Sequence, residues 1–195
     1  AMKTLLIPAL LIAAIFGGPA MASEGFYSGI HAMYPTISAD AADSLDKAYF
    51  NSLSSGPGIA LRIGWGLNGY IAVEGTLFRS YHDTDFFGLS GLERQRFSGG
   101  ELALRVNIPL RDGRYIPYLF LGLGRYSFGD SGGTYYQGGG SAIGIGLEAS
   151  LMPVLAVQAG VTLRDITIDS GQFHMDQDVD VTATSWEIGL VYRFR

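Results

Sequence analysis

Eight ionisable residues fall on one side of a chain that alternates with a period of two. Arg62, Glu74, Glu101, Arg105, Glu148, Arg164, Glu187 and Arg193 share their parity with small or polar neighbours, while the residues between them are largely apolar. Four carboxylates and four guanidiniums balance to zero formal charge. Such groups, drawn together where water is scarce, could line a polar passage gated by switchable ion pairs. They could instead satisfy one another in a network that fills the space. A buried charge left alone is costly, so equal numbers favour the mutual network. Arg62 and Glu74 lie on neighbouring strands and form the first expected pair.

Other chemistry is thinner. His31, His82 and His174 are the only histidines. A hydrolase relay needs a nucleophile, a base and an orienting acid within hydrogen-bond reach. His31 is near Ser28 but on the other face, His82 follows Ser80 and Tyr81, and His174 is near Ser170. None of these forms a local catalytic motif, and no enzymatic activity is expected. Asp176, Asp178 and Asp180, with Glu187 at the twelfth position, echo a calcium loop, but position six is Val181 where a sharp turn needs Gly. No metal site and no cofactor is expected. Gly132-Gly133 and Gly138-Gly139-Gly140 lack a following Lys-Ser/Thr and read as a flexible loop, with Tyr135-Tyr136 as contact aromatics.

The elements that must position these residues are strands. Ile59, Leu61, Ile63, Trp65 and Leu67 alternate with Gly58, Ala60, Arg62, Gly64 and Gly66, and Leu102, Leu104, Val106, Ile108 and Leu110 alternate with Glu101, Ala103, Arg105 and Asn107. The pattern returns around Ile143–Leu147, Leu155–Leu163 and Trp186–Phe194. Alternation over about ten residues is what a tilted, membrane-crossing strand requires. Eight strands are predicted near residues 25–36, 57–67, 70–81, 97–110, 115–126, 141–151, 154–165 and 181–194. Short turns at Asn68-Gly69, Arg111–Arg114 and Met152-Pro153 alternate with long polar segments near 37–56, 82–96, 127–140 and 166–180. That layout predicts an all-β fold: an eight-stranded antiparallel up-and-down transmembrane β-barrel, with the long segments outside the cell and both ends in the periplasm.

Alternation by itself does not say which face is inside, and a soluble barrel or sandwich would bury the apolar one. The polar face here is rich in Gly and Ala, which a narrow lumen needs. The apolar face is almost free of charge, and aromatics gather at strand ends. Trp65, Tyr70, Tyr115, Tyr118, Tyr192 and Phe194 lie near the short turns, and Tyr34, Tyr81, Phe97, Tyr126 and Trp186 near the long segments, as interfacial girdles would. Composition agrees, with 28 Gly, 11 Tyr, 11 Phe and 16% charged residues against the roughly 25% of soluble domains. At the N-terminus Lys3, the apolar run Leu5–Phe16 and Ala20-Met21-Ala22 read as a signal peptide over residues 1–22, leaving residues 23–195 as one barrel domain. The chain has no Cys, which excludes disulfides and thiolate chemistry, and its net charge of −5 gives no nucleic-acid footprint.

Three stretches carry a family resemblance. Leu61 through Glu74, Pro117 through Gly124, and the terminal Gly189-Leu190-Val191-Tyr192-Arg193-Phe194 resemble the OmpA/OmpX/OmpW-like outer-membrane β-barrel superfamily. The resemblance implies residence in the outer membrane of a Gram-negative bacterium, with outer-membrane lipids and lipopolysaccharide as surroundings. It further implies that Tyr192 and Phe194 form the aromatic signal read by the barrel assembly machinery, although Arg195 follows Phe194 here. The leading expectation is a structural or adhesin-like protein with a closed polar core and an unknown surface ligand. A narrow channel for small or hydrophobic molecules and a lipid A-modifying enzyme are the alternatives.

Overall fold

In the computed structural model, residues 24–40, 45–84, 93–110, 113–130, 133–171 and 179–194 are described. Eight strands follow one another: β1 (Gly25–Asp40), β2 (Gly58–Gly66), β3 (Ile71–Thr84), β4 (Glu93–Asn107), β5 (Tyr115–Gly129), β6 (Thr134–Met152), β7 (Leu155–Gly171) and β8 (Val179–Arg193). Each pairs antiparallel with its sequence neighbours, and β1 closes on β8 over the register Tyr27↔Arg193 to Asp40↔Asp180. The leader predicted over residues 1–22 lies outside the described residues.

Parity decides the faces. Along β2, Ile59, Leu61, Ile63 and Trp65 point outward and are exposed, while Ala60, Arg62, Gly64 and Gly66 are buried inside. The wall is therefore apolar outside and small or polar inside, the arrangement a bilayer demands. Inward glycines make room for lumen rings: a Cβ on Gly64 would lie 2.2 Å from the Tyr27 ring, and one on Gly144 would lie 2.3 Å from Phe120. The same parity corrects the girdles. Trp65, Tyr115, Tyr192, Phe194, Tyr34, Tyr81 and Trp186 project outward, but Tyr118, Phe97 and Tyr126 sit on inward positions and are buried.

The strands outrun the membrane. Although 9–11 residues suffice to cross, β1 has 16, β6 has 19 and β7 has 17. Much of what reads as long polar loops is thus strand, and the connections shrink to 41–57, 85–92, 130–133 and 172–178. Over these extensions the polarity of the two faces inverts while the alternation continues. Ile166, Ile168, Val179, Val181 and Ala183 point inward and are buried, whereas Asp165, Thr167, Asp169 and Asp180 face out and are exposed. Gly138, Gly139 and Gly140, expected in a flexible loop, belong to β6. There a Cβ on Gly140 would come within 2.0 Å of the Asp165 carbonyl oxygen.

Two turns also differ from expectation. Asn68-Gly69 is not a two-residue hairpin: the connection spans 67–70, and the Asn68 Oδ1 accepts from the backbone N–H of Tyr70 (2.9 Å) and Ile71 (2.8 Å). The side chain stands in for a backbone acceptor, so Gly69 has no need of the left-handed φ a type I′ turn would impose. Beyond β6 the tight pair is Pro153-Val154, bracketed by Met152↔Leu155.

One helix, α1 (Leu45–Ser52), was not legible in the sequence. It lies across the mouth at the long-connection end and turns Tyr49 and Phe50 into the barrel. Asn51 Oδ1 accepts from the Ala39 N–H at 2.9 Å, completing the end of β1. The segment after it is sewn into the wall, with Ser54 N–H donating to the Asp83 carbonyl (3.0 Å) and Tyr81 N–H to the Pro57 carbonyl (3.0 Å).

A closed ladder offers no edge at which unfolding can start. The folded protein should therefore migrate compactly in SDS gels until boiled and shift to its full apparent mass afterwards. Identical mobility with and without boiling would count against the closed barrel.

Candidate functional site

The lumen below the mouth holds all eight charged residues singled out by parity. β2 supplies Arg62, β3 Glu74, β4 Glu101 and Arg105, β6 Glu148, β7 Arg164, and β8 Glu187 and Arg193. They join in one file of alternating sign. Glu101 Oε1 accepts from Arg164 Nε at 2.5 Å, and Arg164 Nη2 reaches Glu187 at 3.3 Å. Glu187 Oε2 accepts from Arg62 Nη2 at 2.9 Å, and Arg62 Nε stands 3.8 Å from Glu74. Arg105 then bridges Glu74 and Glu148, each at 2.9 Å, and Arg193 ends the file on Glu148. The nearest cation to Glu74 is therefore Arg105, not Arg62, because Arg62 turns across the lumen toward β8.

Neutral groups take up the remaining hydrogen-bonding capacity. Glu74 also accepts from the Tyr27 hydroxyl (2.6 Å), Glu187 from Thr162 (3.0 Å) and Glu101 from Tyr126 (3.2 Å). Gln158 sits between charges: its Nε2 donates to Glu148 at 2.6 Å, and its Oε1 accepts from Arg62 and from His31 Nε2. Aromatic faces cover three guanidiniums, with Arg105 lying 4.0 Å from the Tyr118 centroid, Arg164 4.5 Å from Phe78 and Arg62 5.5 Å from Phe120. No carboxylate in this file is left open for acid–base work on a substrate. The sequence pattern missed the neutral members, above all Gln158 and Tyr27, because polarity without charge gives no signal of partnership.

Above the ion-pair file the interior turns apolar. Met33, Phe78, Phe97, Phe128, Tyr136 and Phe50 pack as one cluster, with Phe97 and Phe128 stacked at 4.6 Å and Phe50 edge-on to Phe128 at 5.0 Å. The lumen is thus not polar throughout. It has a charged lower storey and an aromatic upper one, closed by α1. Tyr136, expected as a surface contact, is buried in this cluster.

His82 lies at the edge of the aromatic storey. Its Nδ1 is 2.6 Å from the Ser54 carbonyl oxygen, which can only accept, so Nδ1 carries the proton and Nε2 accepts from Ser80 Oγ at 2.9 Å. This resembles two parts of a hydrolase relay, but a backbone carbonyl stands where an acid would, and Ser80 is wholly buried. The pair clamps residue 54 to β3 and reaches no surface at which an acyl chain could arrive. His31 faces the lumen, opposite in parity to Ser28, and His174 lies outside the described residues. The calcium-loop echo dissolves in the same way. Asp180 faces outward and accepts from Thr167 at 2.9 Å, while Glu187 faces inward, so one ion could not touch both. Asp176 and Asp178 lie outside the described residues.

With this architecture in view, comparison with known proteins is decisive at the level of family. The profile of the outer membrane protein beta-barrel domain matches residues 8–194. The chain belongs to that family. It is accordingly an integral protein of the Gram-negative outer membrane, in keeping with the superfamily resemblance of its hairpins. Among solved structures it is similar to Neisserial surface protein A, at 14% identity and a TM-score of 0.61, covering 88% of this chain and 98% of that one. It is also similar to OprG from Pseudomonas aeruginosa, at 15% identity and a TM-score of 0.57, covering 90% and 99%. The attachment invasion locus protein Ail of Yersinia pestis follows at 19% identity and a TM-score of 0.52, covering 88% and 100%. At these identities the likeness establishes the fold. No curated protein matches the chain by sequence.

Tyr192 and Phe194 project from the lipid face of the last strand. Their rings meet edge-on at 5.0 Å, and Phe194 touches Phe26 at 5.1 Å across the β8–β1 seam.

Removing one charge from the file strands its partners where water is scarce, at a cost of about 3–5 kcal/mol for a well-buried pair. Glu74→Gln should destabilise the folded barrel by that order, and Glu74→Gln with Arg105→Met should recover more than Glu74→Gln with Arg62→Met. Lipid-facing Leu104→Val should cost far less. Urea unfolding in lipid vesicles, followed by the fluorescence of Trp65 and Trp186, checks the order. Equal stabilities for all four variants would dissolve the network.

Proposed function

We propose that this chain is a closed, surface-displaying barrel with a structural or adhesin-like role, rather than a narrow channel or a lipid A-modifying enzyme. The observation that carries the reading is that the lumen is filled twice. The alternating ion-pair file occupies its lower storey, and the aromatic cluster with Tyr49 and Phe50 of α1 occupies the upper. Eight strands leave little room, and side chains that satisfy one another in it oppose the passage of solutes. The Ser80–His82 pair supports no acyl transfer, being sealed from the membrane. The residues that reach the outside are then those of the long connections and the strand extensions beneath them. The strand extensions offer a collar on which a ligand can be held. Neisserial surface protein A and Ail share the fold, and Ail has been crystallised with the heparin analogue sucrose octasulfate, which makes a sulfated saccharide a useful first probe.

Biogenesis belongs to the same proposal. Tyr192 and Phe194 would present the aromatic terminal signal to the barrel assembly machinery after removal of residues 1–22.

In a planar bilayer the wild-type barrel should show no steady conductance, and proteolysis of intact cells should cut only within 41–57, 85–92, 130–133 or 172–178. Large, steady wild-type conductance would overturn the closed lumen in favour of the channel. Cleavage at the Asn68-Gly69 turn would invert the orientation.

A further inference from the structure

On the outward wall of β2 to β5 two features meet at one place. At membrane level Gly75 and Gly100 face out with no side chain, leaving a groove of about 710 Å³ walled by Leu61, Ile63, Leu77, Leu102 and Leu123, with Arg125 at its upper end. The floor is open, since a Cβ on Gly75 would meet nothing nearer than Ile63 Cγ1 at 3.6 Å. Just above the groove the register assembles a basic patch. Arg79 pairs with Ser98 and Tyr81 with Arg96, while Ser98 pairs with Ser127, two residues beyond Arg125. The Ser98 and Ser127 hydroxyls are 2.9 Å apart beside Arg79 and Arg96 in the register, whereas Arg125 turns its guanidinium the other way, over Gly139 toward Asp169.

These arginines are available. Among the described residues neither Arg79 nor Arg96 makes an ion pair or hydrogen bond. Arg125 is held only by Asp169 at 2.7 Å in a largely exposed pair, which contributes little in water. Arg94 stacks over Tyr81 and faces Asp83 across the strand pair, so it adds no net charge. Beyond β6 the wall is of contrary character: Asp165, Asp169 and Asp180 project from β7 and β8 at the same end, among Thr167, Thr182 and Thr184. Cations above an apolar furrow, on one side only, match a ligand with anionic groups at the interface and hydrocarbon below.

We propose that this wall binds a phosphorylated, multiply acylated glycolipid of the outer leaflet. One acyl chain lies over Gly75 and Gly100, and phosphate is held by Arg79 and Arg96 beside the two serines. The site rests on the outward orientation of the long connections, but not on the closed lumen, so a conducting barrel would leave it standing. Proteolysis of intact cells tests that orientation separately.

The test uses the refolded barrel in phosphatidylcholine nanodiscs doped with bisphosphorylated lipid A, dephosphorylated lipid A or phosphatidylglycerol, with sucrose octasulfate as a soluble anion without chains. Native mass spectrometry reads what is retained. Wild type should hold bisphosphorylated lipid A above the other three. Arg79→Gln with Arg96→Gln should weaken that retention roughly thirtyfold, about fivefold per arginine. Gly75→Leu should weaken it about tenfold by filling the groove, while its boiled and unboiled gel mobilities match those of wild type (about 1.4 kcal/mol per tenfold). Retention unaffected by Gly75→Leu, or equal retention of dephosphorylated lipid, overturns the proposal. Octasulfate bound as well as the lipid, and equally by Gly75→Leu, overturns it in favour of a soluble polyanion.

Discussion

In hydrocarbon an unpaired backbone N–H or C=O costs several kcal/mol, and that cost governs this molecule more than any one side chain does. It forces β1 to find β8, over fourteen registered positions from Tyr27 to Asp40. Closure with eight strands then fixes a lumen of small bore. Whatever lies inside must be small or must interlock. Gly64, Gly144 and Gly146 yield to Tyr27, Phe120 and Tyr118, and the remaining volume goes to long side chains that reach across the bore. Burying eight charges is a consequence of having an inside with so few neutral ways to fill it.

The two storeys are one solution seen at two heights. Within the bilayer the outside must be apolar, so polar groups turn inward and answer one another. Above it the outside meets water and the inside can be a conventional aromatic core. The boundary falls between Glu101 and Phe97, four residues apart on the same face of β4. Tyr126 spans it, its ring among the aromatics and its hydroxyl on Glu101. The Ser80–His82–Ser54 clamp and the Asn51–Ala39 contact fasten α1 to the rim of this upper core.

Sequence reasoning reached the barrel, its strand count and the parity of all eight lumen charges, because period two and neutrality survive in a single chain. It misjudged the upper ends for a physical reason. A polarity inversion at constant parity looks like the end of a strand: Ile166-Thr167-Ile168-Asp169 follows the same alternation as the residues before it, but with its faces exchanged. The helix was hidden because Tyr49 and Phe50 are adjacent, and their burial depends on the mouth they cover rather than on a helical stripe. Individual partners were equally hidden. Which carboxylate Arg105 meets is set by side-chain direction across the bore, and adjacency of strands suggested Arg62 for Glu74 where the nearer cation comes from β4.

The ion-pair file has a consequence for how the chain enters the membrane. The β2–β3 hairpin holds Arg62 and Glu74, β4 holds Glu101 and Arg105, β6 and β7 together hold Glu148 and Arg164, and β8 holds Glu187 and Arg193. The lumen charges of each unit cancel, yet in the finished barrel Arg62 is closer to Glu187, and Glu74 to Arg105, than Arg62 and Glu74 are to each other. Hairpins delivered one after another would therefore bring the lumen charges into the lipid in balanced sets. The final joining of β8 to β1 would then be an exchange of local companions for distant ones, so that sealing the wall and settling the electrostatics of the interior happen in a single event.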